Sequence, residues 1–375
     1  MAAQLKHFFD RARVEAIAAQ LGAAWPGFPR ATFVREAVVG LTRLELLDRG
    51  RHIAAAMARA LPADYPRALD VVLRSLGPPL VASEGNGMAP FHYLPHVIYI
   101  GAHGLGHVEL SLAAQRELTR RFSCEWSIRA YLEAHPAATL AALTRWTNDP
   151  DHHVRRLVSE GTRPRLPWAP RLRRFQDDPS PVLALLERLK DDPSEYVRRS
   201  VANNLNDIAK DHPAVVIATC TRWARGAAIE RRRLISHALR SLVKADHGAA
   251  IRLIGGQPAA ALGVEATVGP RTAVIGGSVT IHATVHNPSP RPAGAVITAR
   301  VHFVKQRGGT SPRTFKLPTV AVAAGASATV RKKITLAQLS TRTHVPGRHL
   351  VEVVVNGRAF AAGAFLLRKM PADQT

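Results

Sequence analysis

A nine-residue pattern near the middle of the chain occurs twice, and it limits the possible folds more than any other feature. Residues 148–156 (NDPDHHVRR) return 43 residues later as residues 191–199 (DDPSEYVRR), and a looser third copy surrounds residues 222–233. The Asp-Pro-Ser run supplies a capping side chain and a proline for a first helical turn, so each copy predicts a helix start. Repetition at about 40 residues is typical of stacked helix pairs of the HEAT type.

The character of the sequence changes near residue 257. Upstream, Ala, Leu and Arg recur with helical spacing, whereas short β-branched runs separated by Gly, Pro and Asn follow from about Val264. Gly255-Gly256-Gln257-Pro258 discourages a helix, so we predict a helical domain at residues 1–257 and a β-domain at residues 258–375. The predicted strands are residues 264–268, 278–286, 294–306, 328–334, 349–356 and 358–367, with a type I′ hairpin at Asn356-Gly357.

The predicted fold is mainly α, a HEAT-like helical repeat solenoid followed by an immunoglobulin-like β-sandwich. Six or seven short strands in about 110 residues suit such a sandwich, although the Cys pair and buried Trp of antibody domains are absent.

The net charge of the 375 residues is strongly positive. Lys and Arg number 51 against 28 Asp and Glu, a formal net charge of +23. Residues 258–375 hold 15 of these cations and three of the acids. Such an excess predicts a polyanionic partner, with nucleic acid the first candidate and an anionic membrane surface the second.

The remaining composition points to a folded protein of the cell interior. A hydrophobic content of 46% argues against disorder, and no apolar run approaches the roughly 18 residues of a membrane span. With only two Cys and no export signal at the start, we expect a reducing, cytoplasmic and nucleoid-associated location.

The helix predicted for residues 194–210 shows how its polar and apolar side chains are arranged. Its core face holds Val197, Val201, Leu205 and Ile208. Its opposite face holds Arg199, Asn203, Asn206 and Lys210, with Asp207 on the border. On a single helix such a face is usually just solvated. The repeated arginines at 155–156, 198–199 and 231–233 favour instead a track that neutralises phosphates.

Three further residues could carry chemistry. Glu160 lies in the last turn of a predicted helix before Gly161, where a carboxylate opposes the helix dipole at a cost of about 0.3–1 kcal/mol. Trp168 lies on a basic, proline-bounded loop, where it could fill a groove between repeats or present its ring to a ligand. Glu125 lies in a predicted first turn, where a carboxylate is favourable for structural reasons alone.

Three segments of the chain resemble the AlkC-type DNA alkylation repair glycosylases. They are residues 5–9 (LKHFF), residues 121–125 (RFSCE) and, above all, residues 197–213 (VRRSVANNLNDIAKDHP). The resemblance covers essentially the whole chain, and the β-domain separates it from the AlkD-type enzymes, which share only the helical array. It implies hydrolysis of the N-glycosidic bond of cationic alkylated bases, chiefly N3-methyladenine and N3-methylcytosine, without full base flipping.

The same resemblance places the active site at Glu125, Glu160, Trp168 and Asp207. A cationic base departs neutral, so positive charge develops on the deoxyribose, where carboxylates can stabilise it and orient a water on C1′. We assign the water to Asp207, electrostatic stabilisation to the two glutamates, and attraction of the charged sugar and base to the indole. The candidates for phosphate contacts are Arg156, Arg163, Arg165, Arg198, Arg199 and Lys210.

Several expectations concern partners and alternatives. We expect a monomer that acts on double-stranded DNA without a cofactor, a metal or strand cleavage. The series His92, His96, His103 and His107 suggests a metal site, but a proline and three glycines interrupt the helix that it would need. Two other interpretations remain open, a non-catalytic HEAT-repeat protein that binds nucleic acid and a scaffold for protein partners. The β-domain is expected to clamp DNA through loops such as residues 287–294.

Overall fold

The chain forms two compact units, Met1–Asp211 and His212–Thr375. The computed structural model describes residues 5–257, 262–338 and 343–369. The first unit is helical, with α1 (Arg11–Ala24), α2 (Arg30–Val38), α3 (Leu46–Ala60), α4 (Tyr65–Arg74), α5 (Leu94–His103), α6 (Val108–Thr119), α7 (Ser127–Ala134), α8 (Pro136–Trp146), α9 (His152–Gly161), α10 (Arg173–Asp177), α11 (Ser180–Leu189) and α12 (Glu195–Ile208). Short 3-10 helices lie at Leu5–Phe8, Leu41–Arg43 and Ala89–Tyr93.

The second unit contains four helices followed by strands. The helices are α13 (Pro213–Ala224), α14 (Ile229–Ala238), α15 (Arg240–Lys244) and α16 (Gly248–Leu253). The strands are β1 (Gly263–Gly269), β2 (Thr272–Val274), β3 (Ser278–His286), β4 (Ala293–Ala295), β5 (Ile297–Val304), β6 (Thr310–Lys316), β7 (Val320–Val322), β8 (Ser327–Thr335), β9 (Gly347–Val355) and β10 (Arg358–Arg368). In the described part of the chain, no helix has the length and apolar character needed to span a membrane.

Helix α12 begins in a turn that the repeated pattern builds. The Asp192 side chain accepts a hydrogen bond from the Ser194 amide (2.8 Å), and Arg198 donates back to the carbonyls of Asp192 and Pro193 (2.5 and 2.9 Å). The predicted cap is wrong in detail, because Asp192 bridges the turn, Pro193 precedes the helix and the Ser194 side chain caps no amide of α12. The turn before α9 has the same bonds, made by Asp149, Pro150, Asp151 and Arg155.

The aspartate of each turn also joins neighbouring repeats. Arg155 donates to both carboxylate oxygens of Asp192 (2.6 and 3.1 Å), and Arg116 donates to one oxygen of Asp149 (2.5 Å). The Asp192 side chain is only 3% exposed. One aspartate therefore both shapes its own turn and anchors an arginine of the preceding repeat.

The core face predicted for α12 is confirmed. Its four apolar residues are fully buried, and Arg199 is exposed. Asn206 and Asp207 differ from the prediction, because they are buried at 4% and 2% exposure, although the helical wheel places them on or beside the polar face. Helix α12 packs against α9, while Asn203 of the polar face stays half-buried and Lys210 stays exposed.

The strands form sheets of order β1-β3-β8, β2-β10-β9-β5-β6 and β4-β7. Their inward side chains make one core, in which β3 contributes Val279, Ile281, Ala283 and Val285, as the alternation predicts. Asn356 (φ 49°) and Gly357 (φ 87°) form the predicted hairpin. The predicted order of a helical array followed by an immunoglobulin-like β-domain is confirmed.

The sequence analysis missed strands β2, β6 and β7, which are either very short or rich in polar residues. Strands β2, β4 and β7 have three residues each, and the segment predicted as one strand over residues 294–306 divides at Val296. Strand β6 contains Pro312, which a sheet tolerates because β6 lies at the edge of the five-stranded sheet.

The change from helices to strands falls between α16 and β1. Residues 258–261 lie outside the described residues, so the boundary at residues 257 and 258 stays a prediction. Within the second unit, the last helices contact the strands, since Arg300 of β5 forms an ion pair with Asp246.

We expect Asp192→Asn to lower the free energy of unfolding by about 3 kcal/mol, because it leaves the Arg155 guanidinium beside a neutral amide. Urea unfolding followed by the helical circular dichroism signal measures this change. Asp191→Asn, at the exposed neighbouring position, is the matched control and should change stability by less than about 0.5 kcal/mol. Equal losses in the two variants would contradict the anchoring role.

Candidate active site

Three carboxylates and two arginines alternate in one continuous cluster in the first unit. Arg156 Nη1 donates to Glu125 Oε2 (2.9 Å), and its Nη2 lies 3.6 Å from Glu160 Oε1. Arg163 Nη1 donates to the same Glu160 oxygen (2.6 Å), and its Nε donates to Asp207 Oδ2 (2.9 Å). We refer to these five residues as the carboxylate–arginine cluster.

Separate elements bring the three acids together. Glu160 lies in the last turn of α9, and Asp207 lies in the last turn of α12. Glu125 precedes α7 by two residues, so its predicted place in a first turn is wrong by a short distance. Gly161 permits the close packing of α9 on α7, because a Cβ there would lie 2.5 Å from Ile128 Cγ2.

Burial and charge act in opposite directions on these groups. Burial raises the pKa of Glu160, but the charges of Arg156 and Arg163 and a 2.6 Å hydrogen bond from Ser200 Oγ outweigh it, so the pKa of Glu160 is lowered. Burial lowers the pKa of Arg156, but the charges of Glu125 and Glu160 outweigh burial, so the pKa of Arg156 is raised. Glu160 therefore stays ionised at neutral pH, although its side chain is only 7% exposed.

A cleft of about 450 Å³ lies beside the cluster. Glu125, Arg156, Glu160 and Trp168 line it, whereas Asp207 does not. Five aromatic side chains form much of its wall: Phe91, Phe122, Trp126, Trp168 and Tyr196. The structure thus brings three of the four predicted site residues to one cleft and links the fourth to them through Arg163.

Trp168 stands on the surface. Its side chain is 61% exposed, so it does not fill an interior groove between repeats. Its backbone is in the left-handed region (φ 62°), which non-glycine residues adopt only where the surroundings hold them there. Leu166 and Leu172, at 4% and 2% exposure, anchor the two sides of its loop.

Each of the six cations predicted to contact phosphates forms hydrogen bonds or ion pairs within the protein. Arg165 forms a two-bond pair with Asp211 (2.6 and 3.1 Å), and Lys210 donates to Asp207 (3.1 Å). Arg199 pairs with Glu195 (3.0 Å) and Glu84 (3.3 Å). Arg156, Arg163 and Arg198 have the partners described above. The most exposed of these cations are Arg199 and Lys210, whose side chains are 52% and 46% accessible.

Two cleft residues were not predicted from the sequence. His153 and Tyr196 occupy the same position in the two copies of the repeat, and their rings touch, with centroids 5.6 Å apart. Arg156 lies over the Tyr196 ring at 4.8 Å. Burial, with smaller effects from neighbouring charges, lowers the pKa of His153 to about 4. The shared repeat position was the signal that could have identified them.

The histidine series is dispersed in the structure. His92 and His96 are buried, whereas His103 and His107 are exposed and lie against tyrosine rings. Among residues 5–257, 262–338 and 343–369, no group of three or more His, Cys, Asp or Glu could hold a metal ion. The expected independence from metal stays a prediction.

Comparisons with known proteins agree with this architecture. Residues 263–369 match the family described as "Uncharacterised protein YhaZ, C-terminal Ig-like domain". The protein called YhaZ of Bacillus subtilis (strain 168) is 31% identical over 357 residues, which cover 95% of this chain and 97% of that protein.

A solved structure is similar to both the helical part and the β-domain. It is the alkylpurine DNA glycosylase AlkC of Pseudomonas fluorescens, bound to DNA containing an abasic site analogue. The identity is 33% and the TM-score 0.89, over 97% of this chain and 99% of that one. The chain therefore belongs to the AlkC-type family of DNA alkylation repair glycosylases.

Proposed function

We propose that the protein is a DNA glycosylase that removes cationic alkylated bases, chiefly N3-methyladenine and N3-methylcytosine, from double-stranded DNA. The observation that carries this proposal is the carboxylate–arginine cluster beside an aromatic-lined cleft. The family supports the reaction class, because a solved structure similar to this chain is that of an alkylpurine DNA glycosylase bound to DNA.

The chemistry of the lesion suits such a cluster. When the N-glycosidic bond of an N3-methylated base breaks, its electron pair stays on the base, which departs neutral. The positive charge moves to C1′ of the deoxyribose, and water then adds there and loses one proton. The reaction therefore needs anionic groups beside the sugar more than an acid beside the base.

The protein's own residues supply these groups. Glu125 and Glu160 line the cleft, are paired with two arginines, and stabilise the cationic sugar. The exposed Trp168 indole offers its ring face to the same positive charge, an attraction of about 0.5–2 kcal/mol. We keep Asp207 as the residue that orients the water, since its oxygens accept two hydrogen bonds and a carboxylate can accept about four.

Two finer features are part of the proposal. The base need not be fully flipped, because only the sugar must meet the carboxylates. The enzyme is monofunctional, because the Lys210 ammonium is bound to Asp207 and is not free to attack C1′ as an amine. An abasic site with an intact strand is the expected product.

The β-domain is proposed to clamp the duplex. In the loop at residues 287–294, the buried Asn287 amide donates to the carbonyls of Arg291 (2.8 Å) and Val322 (3.0 Å). This anchor leaves the Arg291 side chain exposed between two prolines. A rigid, exposed cation of this kind suits a phosphate contact.

We expect Glu160→Gln and Asp207→Asn each to lower the single-turnover rate of base excision by about 10²–10³-fold, because each removes a preorganised charge. Affinity for the damaged duplex should remain. The matched control is Asp192→Asn, which disturbs another buried aspartate–arginine pair outside the cleft and should leave excision unchanged at temperatures where it is folded. If Asp207→Asn kept the full excision rate with binding intact, Asp207 would not be the water-orienting residue.

We expect Arg199→Gln and Arg291→Gln each to reduce the slope of log affinity against log salt by about one, because each removes one phosphate contact. Arg198→Gln is the neighbouring control. Its guanidinium is bonded to turn carbonyls, so we now expect no phosphate contact there and no change in slope. Titration of an undamaged duplex at several salt concentrations measures all three. Equal slopes for the Arg199 and Arg198 variants would contradict this division of roles.

A further inference from the structure

One buried cation fastens the loop that carries Trp168. Arg129, in α7, is 5% exposed, and within the described residues it forms hydrogen bonds only with main-chain carbonyls. Its Nη1 donates to the carbonyls of Gly161 (3.2 Å) and Arg163 (2.8 Å), and its Nη2 donates to that of Pro170. Burying a charge without a carboxylate partner costs free energy, so the three hydrogen bonds to carbonyls must offset this cost.

The three carbonyls all belong to parts of the candidate site. Gly161 follows Glu160 at the end of α9, Arg163 is a member of the carboxylate–arginine cluster, and Pro170 lies two residues beyond Trp168. The guanidinium is planar and presents its donors in a fixed geometry. A single side chain therefore sets the distance between the end of α9 and the far side of the Trp168 loop.

The loop has few other attachments. Between the buried anchors Leu166 and Leu172, four of the five residues are exposed. Within the described part of the chain, Arg129 is the one side chain that hydrogen-bonds the backbone of residues 167–171. The left-handed backbone of Trp168 requires such support, because a non-glycine residue in that region is strained by about 1–3 kcal/mol.

We propose that Arg129 is the positioning residue of this site, which sets where the Trp168 indole stands relative to Glu125 and Glu160. The inference rests on the proposed glycosylase function. Arg129 lies four residues after Glu125, so α7 and the turn before it hold the cleft residue Glu125 directly and the Trp168 loop through the guanidinium. Arg129 acts through Trp168 and does not touch the substrate.

A double-mutant cycle with Trp168 tests this role. The Arg129→Lys substitution keeps the charge but loses the planar guanidinium with its several donors. We expect it to lower the single-turnover rate of N3-methyladenine excision by about 10- to 100-fold. In a Trp168→Ala background the same change should cause no further loss. Equal losses in the two backgrounds, or no loss in the first, would overturn the proposal.

Arg49 provides a matched control for burial alone. It is 3% exposed and also donates to three main-chain carbonyls, those of Phe9, Thr42 and Leu44. We expect any loss in Arg49→Lys to be the same with and without the Trp168 side chain, since Arg49 does not bond the Trp168 loop. If Arg49→Lys and Trp168→Ala were as strongly coupled in their effects on the excision rate as Arg129→Lys and Trp168→Ala, the effect of Arg129 would be one of general destabilisation.

A second readout does not depend on activity. Amide hydrogen exchange of residues 162–172, followed by mass spectrometry, should be faster in Arg129→Lys than in the wild type and unchanged in Arg49→Lys. Arg129→Gln provides the same test if the lysine variant does not fold. Unchanged exchange in the Arg129 variants would overturn the inference. If the wild type released no base, the proposed function would fail, while the exchange measurement would still decide the role of Arg129.

Discussion

The alternation of Glu125, Arg156, Glu160, Arg163 and Asp207 is the interaction on which the candidate site depends. Buried carboxylates of like charge would repel one another, and at least one would take up a proton if no cation lay between them. Two guanidiniums stand between the three carboxylates, and the Lys210 ammonium bonds to Asp207. Glu125 and Glu160 are the two acids of the cluster that line the cleft, and their carboxylates suit a sugar that becomes cationic during the reaction. Because the pairs are largely buried, salt should weaken them much less than it weakens phosphate contacts.

The same cluster explains how acids can lie on a surface that we propose binds DNA. Exposed carboxylates would repel phosphates, but here each acid lies within hydrogen-bonding distance of an arginine and little of it reaches solvent. The helical repeats make this possible, since each acid comes from a different helix or turn and the turn aspartates fix neighbouring repeats on one another. Trp168 differs from the acids because it is exposed, on a loop with few attachments. Its placement is therefore the part of the site that most needs a dedicated support such as Arg129.

Local features of the sequence predicted helix α12, several strands and the order of helices before strands. The alternation in β3 and the Asn356-Gly357 hairpin depend on neighbouring residues alone, so their positions follow from the pattern. The resemblance predicted the four site residues, but no local signal could show that Arg163 joins Glu160 to Asp207. The Arg163–Asp207 half of that link, like the contacts of Arg129, joins residues about 30 to 45 positions apart and exists only after the helices pack. Repetition misled in one respect, since it suggested that both arginines of each pair face a ligand. Arg155 and Arg198 instead bond to the turns of their own repeats.

We propose that positive charge on the alkylated base and then on the sugar, met by fixed carboxylates, drives the reaction. The most direct measurement is mass identification of the bases that the protein releases from a duplex with one N3-methyladenine or N3-methylcytosine, compared with a duplex that carries a neutral lesion such as hypoxanthine. We expect release of both cationic bases, an intact strand, and little or no release of the neutral base. Release of no base at all would favour a nucleic-acid-binding protein without catalysis, and equal release of the neutral base would contradict the electrostatic mechanism.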